Sequence, residues 1–208
     1  MNYTEVVNLA LSYSDRSDAE VTDRMDDFLR MVESRVNRLL KTQDMAVRSL
    51  LQTIDEQEYY TLPSDYSGLR DIELRPSQNS RSRNTLQYLS PEQLNNRSSM
   101  PDKGSSSVYY TIVAGQIQIM PPQPDGKILE IIYYRKLLPL NDAQPNNWLS
   151  DSNPDTYVMG LLVEISAFVK DAEAKILWDQ RFKESIAEIS LDDSDSRWAG
   201  TALQTRAG

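Results

Sequence analysis

The sequence predicts an α+β fold, a helical bundle formed by N- and C-terminal helices with an inserted small antiparallel β region. Three observations predict it. Apolar residues recur at steps of three and four near both ends of the chain. The middle changes to short segments rich in Leu, Ile and Tyr, divided by Pro, Gly, Asp and Ser. From Asp192 onward, core-forming side chains become scarce.

The first helix is expected over Thr4 to Tyr13, with Val6, Val7, Ala10 and Leu11 apolar. Ser17 is the expected cap of a longer helix, because Glu20 three residues on completes a capping box. Val21, Met25, Phe28, Leu29, Val32, Val36, Leu39 and Leu40 then form one continuous face, about six or seven turns long. Asp18, Glu20, Asp23, Asp26 and Asp27 crowd its first half, while Arg35, Arg38 and Lys41 fill its last turns. That polarity complements the helix dipole.

Six or seven strands follow, suggesting a small sandwich or open barrel. Ala46–Leu51, Glu58–Leu62 and Leu69–Leu74 are separated by turn formers, including Pro63-Ser64-Asp65 and Ser67-Gly68. Thr85–Leu89 is a further candidate, and Ser90-Pro91-Glu92 opens a single helical turn. Asn95 to Ser107 reads as an exposed loop. Tyr109–Val113 and Gln116–Met120 flank Ala114-Gly115 as a tight hairpin. Ile128–Tyr134 is apolar on successive residues and reads as a strand covered on both faces.

The chain then returns to helix. Pro154 takes the first helical position, where its missing N–H costs nothing. Tyr157, Leu161, Ile165, Phe168 and Val169 face one way, and a second helix starting at Asp171 carries Ile176, Trp178, Phe182, Ile186 and Ile189. The organisation is therefore a helical core of residues 1–44 and 146–191, a β-rich region over 45–145, and an extended tail over 192–208.

Composition limits the chemistry. Cysteine and histidine are both absent, which removes thiolate and imidazole metal ligands and rules out a Ser-His-Asp triad. No cofactor or metal site is legible. The formal charge of −9 opposes a protein that wraps nucleic acid, since phosphate contacts need cations. An acidic wall would still let a duplex slide past. There is neither a secretory signal pattern at the start nor an apolar run of membrane-spanning length, so a soluble chain from a reducing compartment is expected.

Several local clusters have plainer readings than chemistry. Asp55, Glu56 and Glu58 resemble a paired-carboxylate hydrolase site, but the run reads as solvated. Asp192, Asp193 and Asp195 lack the spacing and central glycine of a calcium loop. Arg81, Arg83 and Arg97 lack interleaved aromatics for a nucleic-acid site. Lys103-Gly104-Ser105 lacks the upstream glycine of a phosphate loop.

Four passages in order carry a resemblance. The first is DFLRMVESRVNRLL, with Glu33, Arg35, Asn37 and Arg38. Next come YYTLPSDYSGLRDIEL and then GQIQIMPPQPDGKILEIIYYRKLLPL, with Gly115, Ile117, Ile119, Pro121, Pro122, Pro139 and Leu140. The last runs from Trp148 through a Gly-containing helix with an internal Glu to Trp178. Together they resemble phage head-to-tail adaptor proteins, also called head-tail connectors. The passage from Ser77 to Ser107 departs from the pattern.

The resemblance implies a structural virion protein at the head-tail junction, assembled in the host cytoplasm and without catalysis. It implies a homo-oligomeric ring of roughly twelve copies beneath the capsid portal, followed by a tail or nozzle protein. DNA would pass through without sequence-specific binding, and no membrane would be involved. Phe28, Val32, Trp148, Tyr157, Trp178 and Phe182 would serve subunit packing and the core. Arg197, Trp198, Leu203 and Arg206 would anchor the tail in the portal, since Trp and Arg suit interface hot spots. The alternatives are a tail-associated cell-wall hydrolase and a monomeric acidic interaction module.

Overall fold

Eight strands and seven α-helices are present among the described residues, which in this computed structural model are 1–98 and 107–198. The first helices are α1 (Tyr3–Ser14), α2 (Ala19–Thr22) and α3 (Met25–Leu39). Strands β1 (Ala46–Gln52), β2 (Tyr59–Thr61), β3 (Tyr66–Arg75), β4 (Asn84–Thr85) and β5 (Gln87–Tyr88) follow. Helix α4 (Pro91–Ser98) precedes β6 (Tyr109–Val113), β7 (Gln116–Met120) and β8 (Ile128–Arg135). Three helices come last: α5 (Trp148–Ser152), α6 (Pro154–Phe168) and α7 (Ala172–Trp198). Two compact units result. One joins Met1–Asp44 to Leu137–Gly208, and the other is Met45–Lys136.

This architecture corrects the expected fold class. The chain is a mixed α/β structure with two four-stranded sheets, not a helical bundle carrying a small inserted β region. Each strand is short, but pairing is non-local. One sheet runs β1-β8-β3-β4 and the other β2-β7-β6-β5. Both contribute to a single core of Tyr60, Leu62, Ile72, Leu74, Leu86, Val108, Ile117, Ile119, Leu129, Ile131 and Tyr133. Nor is the region purely antiparallel, since β5 pairs parallel to β6. Strands read singly reveal neither the number of sheets nor their partners.

Within this unit the local chemistry is legible. Ala114 and Gly115 both take positive φ, 50° and 76°, the requirement of a two-residue primed turn joining β6 to β7. Ser67-Gly68 is not a turn between strands. It lies inside β3, where the register against β8 shifts between Tyr66 and Gly68 as at a bulge. The segment from Asn84 divides around buried Leu86 into β4 and β5, which belong to different sheets. The loop expected from Asn95 is still helix through Ser98.

In strand β8, Leu129, Ile131 and Tyr133 enter the core, while the alternate face carries half-buried Ile128, Ile132 and Tyr134 around buried Glu130. Glu130 pairs with Arg75 of β3 and, at 2.6 Å, with Arg48 of β1. The hydrogen bond from Arg48 holds its carboxyl below the usual glutamate range. An ion-paired carboxylate can be covered in this way because its charge is compensated on both sides.

In the helical unit, the expected single helix from Ser17 is two. Asp18, not Ser17, stands at the N-cap of α2, and the chain breaks at Asp23 and Arg24 before α3 begins. Glu20, Asp23, Asp26 and Asp27 would meet at spacings of three and four in one helix, where like charges repel. The break leaves Val21 and Met25 buried. Asp171 starts α7 by accepting from the Ala174 N–H at 3.0 Å. Lys170, at φ 63°, closes α6 with the Schellman pairing: Asp171 N–H to Ser166 C=O and Lys170 N–H to Ala167 C=O.

Helix α6 is the centre of this unit. Thr156, Tyr157, Val158, Gly160, Leu161, Leu162, Val163, Ile165 and Ser166 are all buried, so the helix is covered on most of its circumference. Gly160 is the point of closest approach. A Cβ there would lie 2.6 Å from Val32 Cγ1 and 3.1 Å from Phe182 Cε2. Val32 is β-branched on a helix and has little rotamer freedom to yield. Gly160→Ala is therefore expected to cost about 1–3 kcal/mol, despite alanine's better helix propensity. Urea unfolding of Gly160→Ala, Val32→Ala and the pair would check this. The double variant should be less destabilised than the sum of the two single ones.

Candidate functional site

Three residues of the DFLRMVESRVNRLL passage, Glu33, Arg35 and Asn37, act together at the heart of the helical unit. Glu33 is 7 % exposed and accepts from the Leu140 N–H at 2.6 Å and the Tyr157 hydroxyl at 3.2 Å. Asn37, one turn on, accepts from the Leu137 N–H at 2.7 Å. Asn147 donates to Tyr157 Oη and to the Leu138 carbonyl, each at 2.7 Å. It also caps α5, pairing its side chain with Ser150 N–H while Ser150 Oγ accepts from its own N–H. Helix α3 thus grips the segment Leu137–Leu140 by its backbone.

Arg35 performs the parallel task on the other helices. It reaches Asp179 of α7 at 2.6 Å and Glu164 of α6 at 3.6 Å, and its guanidinium lies 4.6 Å from the Phe182 ring centroid. Asp179 is held below the usual aspartate range, first by its bond to Lys183 and then by Arg35. Arg38 turns outward, to Ser34 Oγ at 2.7 Å. The internal Glu of the α6 passage is this ion-paired Glu164.

The site residues named from sequence fall in different surroundings. Phe28, Val32, Tyr157 and Phe182 are buried in the unit's own core, and Trp178 is half-buried, edge-on to Tyr13 at 6.2 Å. Ile176, placed on the same stripe, is 70 % exposed. Trp148 is half-buried, with its Nε1 enclosed and without a partner. Leu203 and Arg206 lie outside the described residues, as do Lys103, Gly104 and Ser105.

The polar stretch expected as an extended tail from Asp192 continues α7 through Trp198. Its hold is tertiary. Asp193 accepts from the Gln43 N–H at 2.6 Å, Gln43 donates to Ser196 at 3.3 Å, and Arg197 pairs with Asp193 at 2.6 Å and donates to the Lys41 carbonyl at 3.3 Å. Gln43 and Ser196 carry no signal in the sequence, and Asp193 stands out there only as part of an acidic run, since the partners lie some 150 positions away. No local pattern signals such a pairing.

The carboxylates considered for hydrolysis have no enclosed setting. Asp55 and Glu56 are exposed, and Glu58 accepts from Gln118 at 3.1 Å. Among the described residues no group of three acids is placed to hold a metal ion, and no helix is long and apolar enough to cross a membrane.

The family model described as SU10 adaptor protein matches residues 1–206. The chain belongs to the SU10 adaptor family. This is a phage head-tail adaptor family, so the chain is a structural component of the virion at the head-tail junction. No curated protein matches it. In this adaptor the Glu33, Arg35 and Asn37 passage is a clasp that fixes the helical unit.

The clasp has a pH signature. Burial raises the Glu33 carboxyl above its ordinary 4.5, outweighing the two bonds that favour the charged form. The folded adaptor therefore holds this proton more tightly than the unfolded chain. The contribution of Glu33 is fully present below 4.5 and is lost as pH rises through the raised value. Glu33→Gln keeps an acceptor for both donors, so its stability relative to the parent should improve from about pH 4 to about pH 7. Glu33→Ala instead strands buried donors, at about 1–3 kcal/mol each, at either pH. Urea midpoints of the three proteins at both pH values check this.

Proposed function

We propose that the adaptor is one subunit of a ring of roughly twelve copies beneath the capsid portal, joining head to tail and surrounding the DNA exit channel. Its next partner is a downstream tail or nozzle protein, and it does no chemistry. The observation that carries this reading is the family match across nearly the whole chain. The clasp supports it, because a rigid helical unit is what a self-assembling collar requires. The formal charge of −9 fits a wall past which DNA slides without being held.

The docking element is the C-terminal segment with Arg197, Trp198, Leu203 and Arg206. Arg197 has a prior engagement with Asp193 and the Lys41 carbonyl, so its role is to fix the last turn of α7 and set where the docking segment departs. Trp198, Leu203 and Arg206 would then make the contact itself.

The mass of the adaptor alone and after mixing with the portal of the same virus tests this reading. A multi-copy adaptor on the portal is expected. Deletion of residues 199–208 should abolish joining while leaving the thermal midpoint unchanged, because the ties to residues 41–43 remain. Deletion from Asp192 should also lower the midpoint. Unchanged joining by the 199–208 deletion would remove the docking role, and a chain that stays monomeric and ignores portal would remove the ring.

A further inference from the structure

Two surfaces of the helical unit extend beyond the clasp. The first is a cleft of about 520 Å³ formed by the chain just after α3, the starts of α5 and α6, and the second half of α7. Asp44, Asp155, Glu188, Asp192 and Asp193 line it, and no Lys or Arg does. Among the described residues, Arg197 pairs with Asp193. Two buried polar groups also line the cleft without a hydrogen-bond partner: Thr42 Oγ1, on a residue 3 % exposed, and Trp148 Nε1. Buried polar groups without a partner are few in folded proteins, and these two lie in the wall of one cleft.

The second surface is a shallow groove between α3 and the end of α6. It carries Arg24, Arg30, Arg35 and Arg38 against Asp27 and Glu164, with Met31 52 % and Phe168 37 % exposed. Arg24 rests on the Phe168 ring at 5.4 Å, and Arg30 reaches Asp27 only at 3.4 Å. Arginine over exposed apolar and aromatic groups is the composition of an interface centre rather than of a solvated face.

The surfaces are complementary in charge and lie at different places on one compact unit. Asp155 is at the start of α6 and Phe168 at its end, about 20 Å apart along the axis. Two different patches that fit each other make a head-to-tail contact, and repetition of that contact closes a ring or extends a filament. A self-complementary patch would instead stop at a dimer.

We propose that the acidic cleft of one copy receives the exposed Arg24 and Arg30 side chains beside the groove of the next. Arg24 and Arg30 meet Asp155, Glu188 and Asp192. The occupant is a second copy of this chain. This inference rests on the ring reading and assigns the contact that builds the ring.

Because the chain has no cysteine, single thiols report the contact without background. Ser34 lines the groove, Ser152 lines the cleft, and both are exposed. The full-length Ser34→Cys and Ser152→Cys variants would be mixed, alone at high concentration and on the portal of the same virus, and treated with a short bis-maleimide. The expected product is a linked pair containing one of each variant. Its yield should fall about tenfold in roughly 1 M salt, where the screening length is near 3 Å. It should fall similarly when the Ser34→Cys chain also carries Arg24→Glu and Arg30→Glu. Unfolding midpoints of all variants establish that each is folded. A multi-copy assembly that yields no mixed product, or only Ser34→Cys with itself, overturns this contact and leaves the ring standing. A chain that forms no assembly in either setting overturns both.

Discussion

The helical unit depends on one interaction: the buried Glu33 side chain holding the backbone of a segment more than a hundred residues away. A single carboxylate oxygen takes the Leu140 N–H and the Tyr157 hydroxyl, while Asn37 takes the Leu137 N–H. Irregular chain passing through an interior must satisfy its N–H groups with side chains, since no sheet or helix partner is present. Glu33 and Asn37 meet that requirement from one face of α3. Their cost is desolvation of a carboxyl, visible as its raised pKa. Removing either strands one N–H of the Leu137–Leu140 segment, which leads on to α5 and α6.

The clasp and the tight packing at Gly160 are two parts of one design. Tyr157 and Gly160 lie three residues apart on α6, so they share a face. The tyrosine reaches Glu33 of α3 while the glycine lets Val32, the neighbouring residue of α3, approach its backbone. Arg35 adds Glu164 of α6, and through Asp179 brings in α7. Hydrogen bonds set which residues meet, and packing sets how closely. That combination specifies a single arrangement better than an apolar interface alone, where several registers bury similar area.

What the sequence reveals follows the range of the interaction. Pro154 at the start of α6, Asp171 at the start of α7, the Ala114-Gly115 turn and most strand positions are local matters of φ, caps and periodicity, and they are legible. The break at Asp23 and Arg24 is local too, but a continuous apolar face hides it. The fold class is not local. Two sheets arise because β1 finds β8 and β2 finds β7, pairings of high sequence separation that no single segment encodes. The clasp lies between: its residues stand out in the DFLRMVESRVNRLL passage, but their partners do not.

The last turns of α7 show the same rule from its opposite side. Read alone, DDSDSRW has too little apolar surface to offset the entropy of ordering it. It is helical because Gln43 and the Lys41 carbonyl bind one face, and because Asp193 and Arg197 pair at a four-residue spacing. The acids that make the segment look disordered are also the wall of the cleft. A composition that contributes little to a monomer's core is therefore consistent with a surface kept for another chain. A helix of alanine and leucine in this place would be firmer, and it would offer an arginine-bearing neighbour nothing to bind.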